Sequence, residues 1–216
     1  IYYGFQPLFD SLIDQKLTQK KRDFLVSDLE ILVNLGKDYL TSYYSGEPDI
    51  ENFHKQIEKI ENFFSITDGV PYIKKFRNID CNGIYPRDIN KFITNFLETI
   101  LKEEIPLPDT IIGCACGTSE IVMSLAGLLN LNIGFIRRSF RRNDDKTKII
   151  KEQEIYIKNI SEKKNILVVE DYLNTGKSLS MVMKLVNSYK PASIYGTSIN
   201  CSGNHYLKKI IDKSKF

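Results

Sequence analysis

From about Leu8 to Phe64 the apolar residues recur at helical spacing, as in Leu29, Leu32, Val33, Leu35 and Leu40 and again in Phe53, Ile57, Ile60 and Phe64. That period predicts a mostly helical stretch. Gly46-Glu-Pro-Asp49 should end one helix and cap the next, while Ser65 to Tyr72 is rich in turn formers and predicts a loop or short hairpin, with a boundary near it. After Pro86-Arg-Asp88, where Asp88 can serve as an N-cap, Ile89 to Leu101 has a helical apolar face that Pro106 and Pro108 stop.

The pattern then changes. Short apolar runs at Thr110-Ile-Ile112, Ile133-Gly-Phe-Ile136, Ile166-Leu-Val-Val169 and Ile194 to Ile199 alternate with helical segments near Ser119–Leu129 and Leu179–Tyr189. Strand-helix-strand alternation predicts an α/β fold with a mainly parallel sheet flanked by helices. The division expected is a largely helical N-terminal hood or accessory region over 1–105 and an α/β core over 106–216, with the ligand at the carboxyl ends of the strands between them. No internal repeat or low-complexity segment stands out, and the basic tail Lys208–Lys215 reads as a solvated helix end.

Composition narrows the classes. A chain of 216 residues, 42% hydrophobic and 26% charged, can bury a real core as one globular domain with a small appended part. The net charge of +3 comes from Lys and Arg scattered among many acids, so any basic function must be local. Cys81, Cys114, Cys116 and Cys201 lack the spacing of a disulfide framework or a zinc site, and reduced thiols in a cytoplasm are expected. No apolar run reaches the roughly 20 residues a membrane helix needs. Ile1-Tyr-Tyr-Gly-Phe-Gln6 lacks the order of a secretion signal, and the missing initiator Met suggests that a few native residues have been trimmed.

The densest chemistry lies at Ile166–Leu179. Ile166-Leu-Val-Val169 reads as a buried strand, and Glu170-Asp171 follows at its carboxyl end, where open parallel sheets bind ligands. Adjacent carboxylates there can accept hydrogen bonds from vicinal ribose hydroxyls or neutralise a magnesium ion through water. Asn174-Thr-Gly-Lys-Ser178 adds a glycine for close backbone approach, two hydroxyls and successive N–H groups at a helix N-terminus, which together make a phosphate site. A Walker loop ending at Gly176-Lys-Ser178 would need a glycine where Asp171 stands, and a carboxylate beside the phosphates would repel them. The bland reading is a capped strand-to-helix turn with chance acids.

Taken together, Ile166–Leu179 closely resembles the signature of the type I phosphoribosyltransferases, in which four apolar residues precede two acids and a Thr-Gly-x-Ser/Thr turn. The resemblance implies that Glu170 and Asp171 hold the ribose hydroxyls and the magnesium, while Asn174, Thr175, Gly176, Lys177 and Ser178 cradle the 5′-phosphate. Gly113-Cys-Ala-Cys-Gly-Thr118, after one strand and before a helix, looks like the family's pyrophosphate loop, with Cys116, Gly117 and Thr118 as its contacts. Its cysteines can equally be core packing.

Phe135-Ile-Arg-Arg138 ends a strand and runs through Arg141 and Arg142 into a polar stretch to Glu154 that reads as a mobile cationic lid. In orotate phosphoribosyltransferases a similar strand ends in Arg-Lys before a flexible loop, so Arg137, Arg138 and Arg141 resemble pyrophosphate contacts, with Arg138 and Arg141 joining the acids as catalytic candidates. An exposed basic loop is the plain alternative. The layout from Pro108 to Ser202 is orotate-like, yet Val169-Glu-Asp171 and Thr175 to Leu179 look more like hypoxanthine enzymes. Those carry an Asp, the proposed proton acceptor, where this chain has Asn174, and an amide cannot take that proton at neutral pH. Thr67 to Tyr72 resembles the orotate family's N-terminal hood with Thr67 and Val70 in place of its Lys and Arg, for which Lys74, Lys75 and Arg77 are possible substitutes.

The resemblance therefore implies magnesium-assisted transfer of phosphoribosyl from phosphoribosyl pyrophosphate to a nitrogenous acceptor, in a protein that often pairs as a homodimer. A different class keeps the pocket without turnover: a nucleotide-sensing effector, in a toxin or defence system, with its N-terminal part binding a partner. Nucleic-acid binding through Arg137–Arg142 lacks an aromatic platform and faces opposing carboxylates.

Overall fold

The computed structural model of the chain describes residues 2–14, 16–46, 50–52, 55, 86–102, 105–115, 117–138, 146–173 and 175–201. It divides into two compact units, Ile1–Asn82 and Gly83–Phe216.

The first unit holds two packed helices, α1 (Tyr2–Asp14) and α2 (Gln19–Tyr44). Phe5, Leu8, Phe9 and Leu12 recur at helical spacing on α1 and are buried, as are Leu25, Leu29, Leu32 and Gly36 on α2. Thr18 caps α2 by accepting from the Lys21 N–H, and the Arg22 guanidinium donates to the Leu12 carbonyl at 3.0 Å, pinning the connection between the helices. Ser45 and Gly46 turn the chain out of α2, as expected. The turn-rich stretch from Ser65 to Tyr72, Lys74, Lys75, Arg77 and the basic tail lie outside the described residues.

The second unit is built on a four-stranded sheet in which every pairing is parallel: β1 (Thr110–Ala115), β2 (Asn132–Arg137), β3 (Asn165–Leu173) and β4 (Ser193–Cys201), in the order β2-β1-β3-β4. Each strand contains one of the four apolar runs and extends it by a few residues. Helix α3 (Pro86–Leu101) precedes the sheet and packs against β4, α4 (Ser119–Leu129) joins β1 to β2, and α6 (Lys177–Asn187) joins β3 to β4. The crossover from β2 to β3 contains a short 3-10 turn (Lys151–Gln153) and α5 (Glu154–Ser161).

One face of the sheet makes a continuous apolar cluster of Ile112, Cys114, Ile136, Ile166, Val168 and Ile194 with Ile157 of α5 and Leu179, Val182, Met183 and Val186 of α6. At the amino end the Asp109 carboxylate accepts from the Asn165 N–H at 2.8 Å, tying β1 to β3, and the Thr110 hydroxyl donates to the Ile160 carbonyl at 2.6 Å, tying β1 to α5. Among the described residues no helix is long and apolar enough to cross a membrane.

Two expectations change. Asp88 lies inside α3, which begins at Pro86, because the fixed φ of proline and its missing N–H suit the first turn of a helix. The polar stretch running to Glu154 is not loose throughout: Lys148 exchanges two backbone hydrogen bonds of 2.8 Å with Arg137, and Ile150 is fully buried. Only 139–145 of that span lies outside the described residues.

Candidate functional site

Sheet order decides where the site lies. The chain leaves β1 towards β2 on one side and leaves β3 towards β4 on the other. Loops at the carboxyl ends of the two central strands therefore diverge, which opens the crevice that parallel sheets use for ligands. Both candidate loops emerge there, Gly117-Thr118 after β1 and Glu170 to Ser178 at the end of β3.

These loops touch. Gly117 packs so close to Asp171 that a Cβ built on it would lie 2.0 Å from Oδ2 and 2.5 Å from Cγ. Any side chain at 117 would displace the carboxyl. The Asp171 carboxylate also accepts from the Tyr172 N–H at 2.9 Å. Thr118 is buried, and its hydroxyl donates to the Cys114 carbonyl at 3.2 Å, so its side chain serves the turn into α4. Cys116 lies outside the described residues. Cys114 beneath them is a free, buried thiol that burial, with the nearby charges of Glu170 and Asp171, pushes well above the usual thiol range, leaving it unreactive.

The second acid behaves differently from the first. Glu170 is partly buried, and its Oε2 accepts from the backbone N–H of Leu179 at 3.1 Å. The Ser178 hydroxyl also bonds to it. Burial pushes this carboxyl up to about 7, Asp171 next to it adds to the rise, and the Leu179 and Ser178 bonds oppose it. A partly buried carboxyl beside a second acid favours a cation or a set of hydroxyl donors.

The turn between them and α6 passes through one left-handed residue. Gly176, the residue before α6, has φ +72, a left-handed conformation that glycine adopts without strain. Thr175 and Lys177 are exposed, and the Lys177 N–H approaches the Thr175 hydroxyl at 3.4 Å. Leu179 is buried in the apolar cluster, so the first turn of α6 is seated on the sheet with its leading N–H groups at the strand end. Asn174 lies outside the described residues.

Arg137 and Arg138 close β2, with Arg137 opposite Ala115 of β1, and both side chains are buried. That brings them to the same end of the sheet as the two loops. Arg141 lies outside the described residues. Two features of this site escape sequence reasoning: the Leu179 N–H as partner of Glu170, and the pressure of Gly117 on Asp171. Gly117 itself, a lone glycine between the candidate contacts Cys116 and Thr118, is a partial signal for the second.

Among the described residues no group of three or more His, Cys, Asp or Glu side chains could cage a metal. Two adjacent carboxylates fit magnesium of another kind, held through water and completed by substrate phosphates.

The family model described as a phosphoribosyl transferase domain matches residues 83–215. No curated protein matches the sequence. Among solved structures, the chain is similar to a purine phosphoribosyltransferase from Pyrococcus horikoshii Ot3, with 20% identity over 55% of this chain and 75% of that one and a TM-score of 0.41. It is likewise similar to adenine phosphoribosyltransferase from Saccharomyces cerevisiae (20% identity, 55% and 70% covered, TM-score 0.42). A hypoxanthine phosphoribosyltransferase from Staphylococcus aureus gives 21% identity, 56% and 70% covered, and a TM-score of 0.41. With a family match that takes in every strand of the sheet and both loops of the crevice, the chain belongs to the type I phosphoribosyltransferase family.

Proposed function

We propose that the protein binds phosphoribosyl pyrophosphate with magnesium in the crevice between β1 and β3 and transfers the phosphoribosyl group to a nitrogenous base or related acceptor. The observation that carries this reading is the contact between Gly117 and Asp171, because it joins the candidate pyrophosphate loop to the acid pair in one place.

In this reading the N–H groups at the start of α6, with Thr175, Gly176, Lys177 and Ser178 and with Asn174 before them, take the 5′-phosphate, aided by the positive end of the helix. Glu170 and Asp171 serve the ribose hydroxyls and, through water, a magnesium ion whose chemistry is to neutralise the pyrophosphate. The Cys116-Gly-Thr118 loop takes the pyrophosphate, and Arg137, Arg138 and Arg141 bring positive charge to the leaving group. The bond from the anomeric carbon to pyrophosphate breaks as the acceptor nitrogen bonds to that carbon, through an oxocarbenium-like transition state. Positioning and charge stabilisation supply most of the rate. The N-terminal region is an accessory part, the molecule works in the cytoplasm, and a homodimer is its expected form.

Calorimetry with phosphoribosyl pyrophosphate and magnesium tests this reading. The parent should bind and Asp171→Asn should bind far more weakly; equal affinities, or none in the parent, remove the assignment. A second reading is favoured by one residue, Asn174, an amide where hypoxanthine enzymes carry an acid. It keeps the ligand and drops turnover, making the protein a nucleotide-sensing effector. Pyrophosphate release across a panel of purines, pyrimidines and nucleotides separates the two: release with any acceptor supports the enzyme, and ligand-dependent partner binding without release supports the effector.

A further inference from the structure

We propose that the side chain of Thr118 is a positioning group: its hydroxyl clasps the loop after β1 back onto its own strand and so holds the candidate pyrophosphate loop in place. The inference rests on the proposed function for the identity of the ligand. It adds to that function a side chain that acts on the loop while the loop itself serves the ligand.

A threonine just before a helix ordinarily turns its hydroxyl forward and accepts from the N–H of the second or third helical residue. Thr118 occupies that position for α4, and its side chain makes no such bond. It reaches backward instead and donates to the Cys114 carbonyl at 3.2 Å. The bond closes the loop from Cys114 to Thr118 into a ring with Gly117 inside it. The first N–H groups of α4, which have no partner within the helix, gain none from Thr118. The usual capping role is given up for the clasp.

Strand β1 is shaped to receive this hydroxyl. A Cβ built on Gly113 would stand 2.4 Å from Thr118 Oγ1, 2.9 Å from Val122 Cγ2 and 3.0 Å from Phe135 Cδ1. Glycine weakens the interior of a strand and is found where another group must approach the backbone closely. Here the group that approaches is the Thr118 side chain, which is fully buried. The Thr118 carbonyl in turn accepts from the Val122 N–H at 3.0 Å, the bond that opens α4. Thr118 is therefore held from two sides, by its hydroxyl to β1 and by its carbonyl to the helix. Gly117, immediately before it, is carried to the Asp171 carboxyl.

Calorimetry and amide hydrogen exchange on the full chain test this role. Thr118→Val keeps the shape and loses the hydroxyl, so affinity for phosphoribosyl pyrophosphate and for inorganic pyrophosphate, both with magnesium, should fall by roughly fivefold. Affinity for ribose 5-phosphate, which has no pyrophosphate, should stay within about twofold of the parent. Exchange of the Val122 amide should speed up by roughly fivefold in the same variant. Thr118→Ser keeps the hydroxyl and should match the parent in every measurement. Should Thr118→Val not fold, Thr118→Ala takes its place with the same expectations. The proposal is overturned if the variant without the hydroxyl binds both pyrophosphate ligands as the parent does, or loses ribose 5-phosphate to the same degree. It is overturned equally by unchanged Val122 exchange, or by Thr118→Ser falling together with Thr118→Val. The exchange measurement requires no ligand, so a parent that fails to bind phosphoribosyl pyrophosphate removes the proposed function while Val122 still decides whether the clasp holds the loop.

Discussion

Gly117 is a glycine because of its neighbour. A Cβ at this position would lie 2.0 Å from the Asp171 carboxyl, a separation that atoms do not tolerate, and Asp171 is the more movable partner. Gly117→Ala should therefore turn the acid away from the crevice with little cost to the fold, since 117 sits in a partly exposed loop. Affinity for phosphoribosyl pyrophosphate with magnesium should drop by roughly tenfold or more, about 1.4 kcal/mol per decade. The melting temperature should move by no more than about 2–4 °C. A variant with parental affinity by calorimetry would mean that Asp171 does not need its present position. The placement of the acid pair at a strand end and of the Thr175 to Ser178 turn at a helix start is legible in the sequence, because an apolar run, a glycine turn and a second apolar period mark them. The approach of Gly117 to Asp171 was not legible, because it depends on β1 lying next to β3, and no local pattern carries the order of strands.

Among the elements, α5 was missed for a physical reason. Glu154–Ser161 has eight residues, a polar surround and an exposed Ile155, so it merges with the charged stretch before it when read along the chain. Its only apolar period is Ile157 and Ile160, too short to register, although both are buried and Ile157 lies in the same cluster as Ile112 and Ile136. The strap joining it to β2 is held by backbone bonds between Arg137 and Lys148, which no side-chain pattern announces. The four strands were legible because runs buried on both faces of a parallel sheet are uniformly apolar. If α5 closes the core as its burial implies, Ile157→Ala should cost about 2–5 kcal/mol by loss of transfer energy and creation of a cavity. Urea unfolding should show the midpoint falling with an unchanged slope. A loss under about 1 kcal/mol would place α5 outside the cooperative core.

At the scale of the whole molecule, the two units respond differently to sequence reasoning. The second carries chemistry in its motifs, which lie at the carboxyl ends of two adjacent parallel strands. The first unit advertises only helices, yet it contains a polar group that a helical pattern would not place there. Asp28 of α2 is buried among Leu25, Leu29 and Leu32, and its Oδ2 has no hydrogen-bond partner among the described residues. Burial pushes its carboxyl up to about 6 from an ordinary 3.8. The folded chain therefore binds this proton more tightly than the unfolded chain does, and stability from this group is full below about pH 4 and is lost as pH rises through about 6. At 1.36 kcal/mol per pKa unit the loss is about 3 kcal/mol at most. Asp28→Asn removes the charge and keeps the shape, so its melting temperature should exceed that of the parent at pH 8 and match or fall below it at pH 4. The reverse order, a gain at pH 4 that disappears at pH 8, would mean that Asp28 is ionised and partnered in the folded protein and that the first unit contains a cation aimed at it.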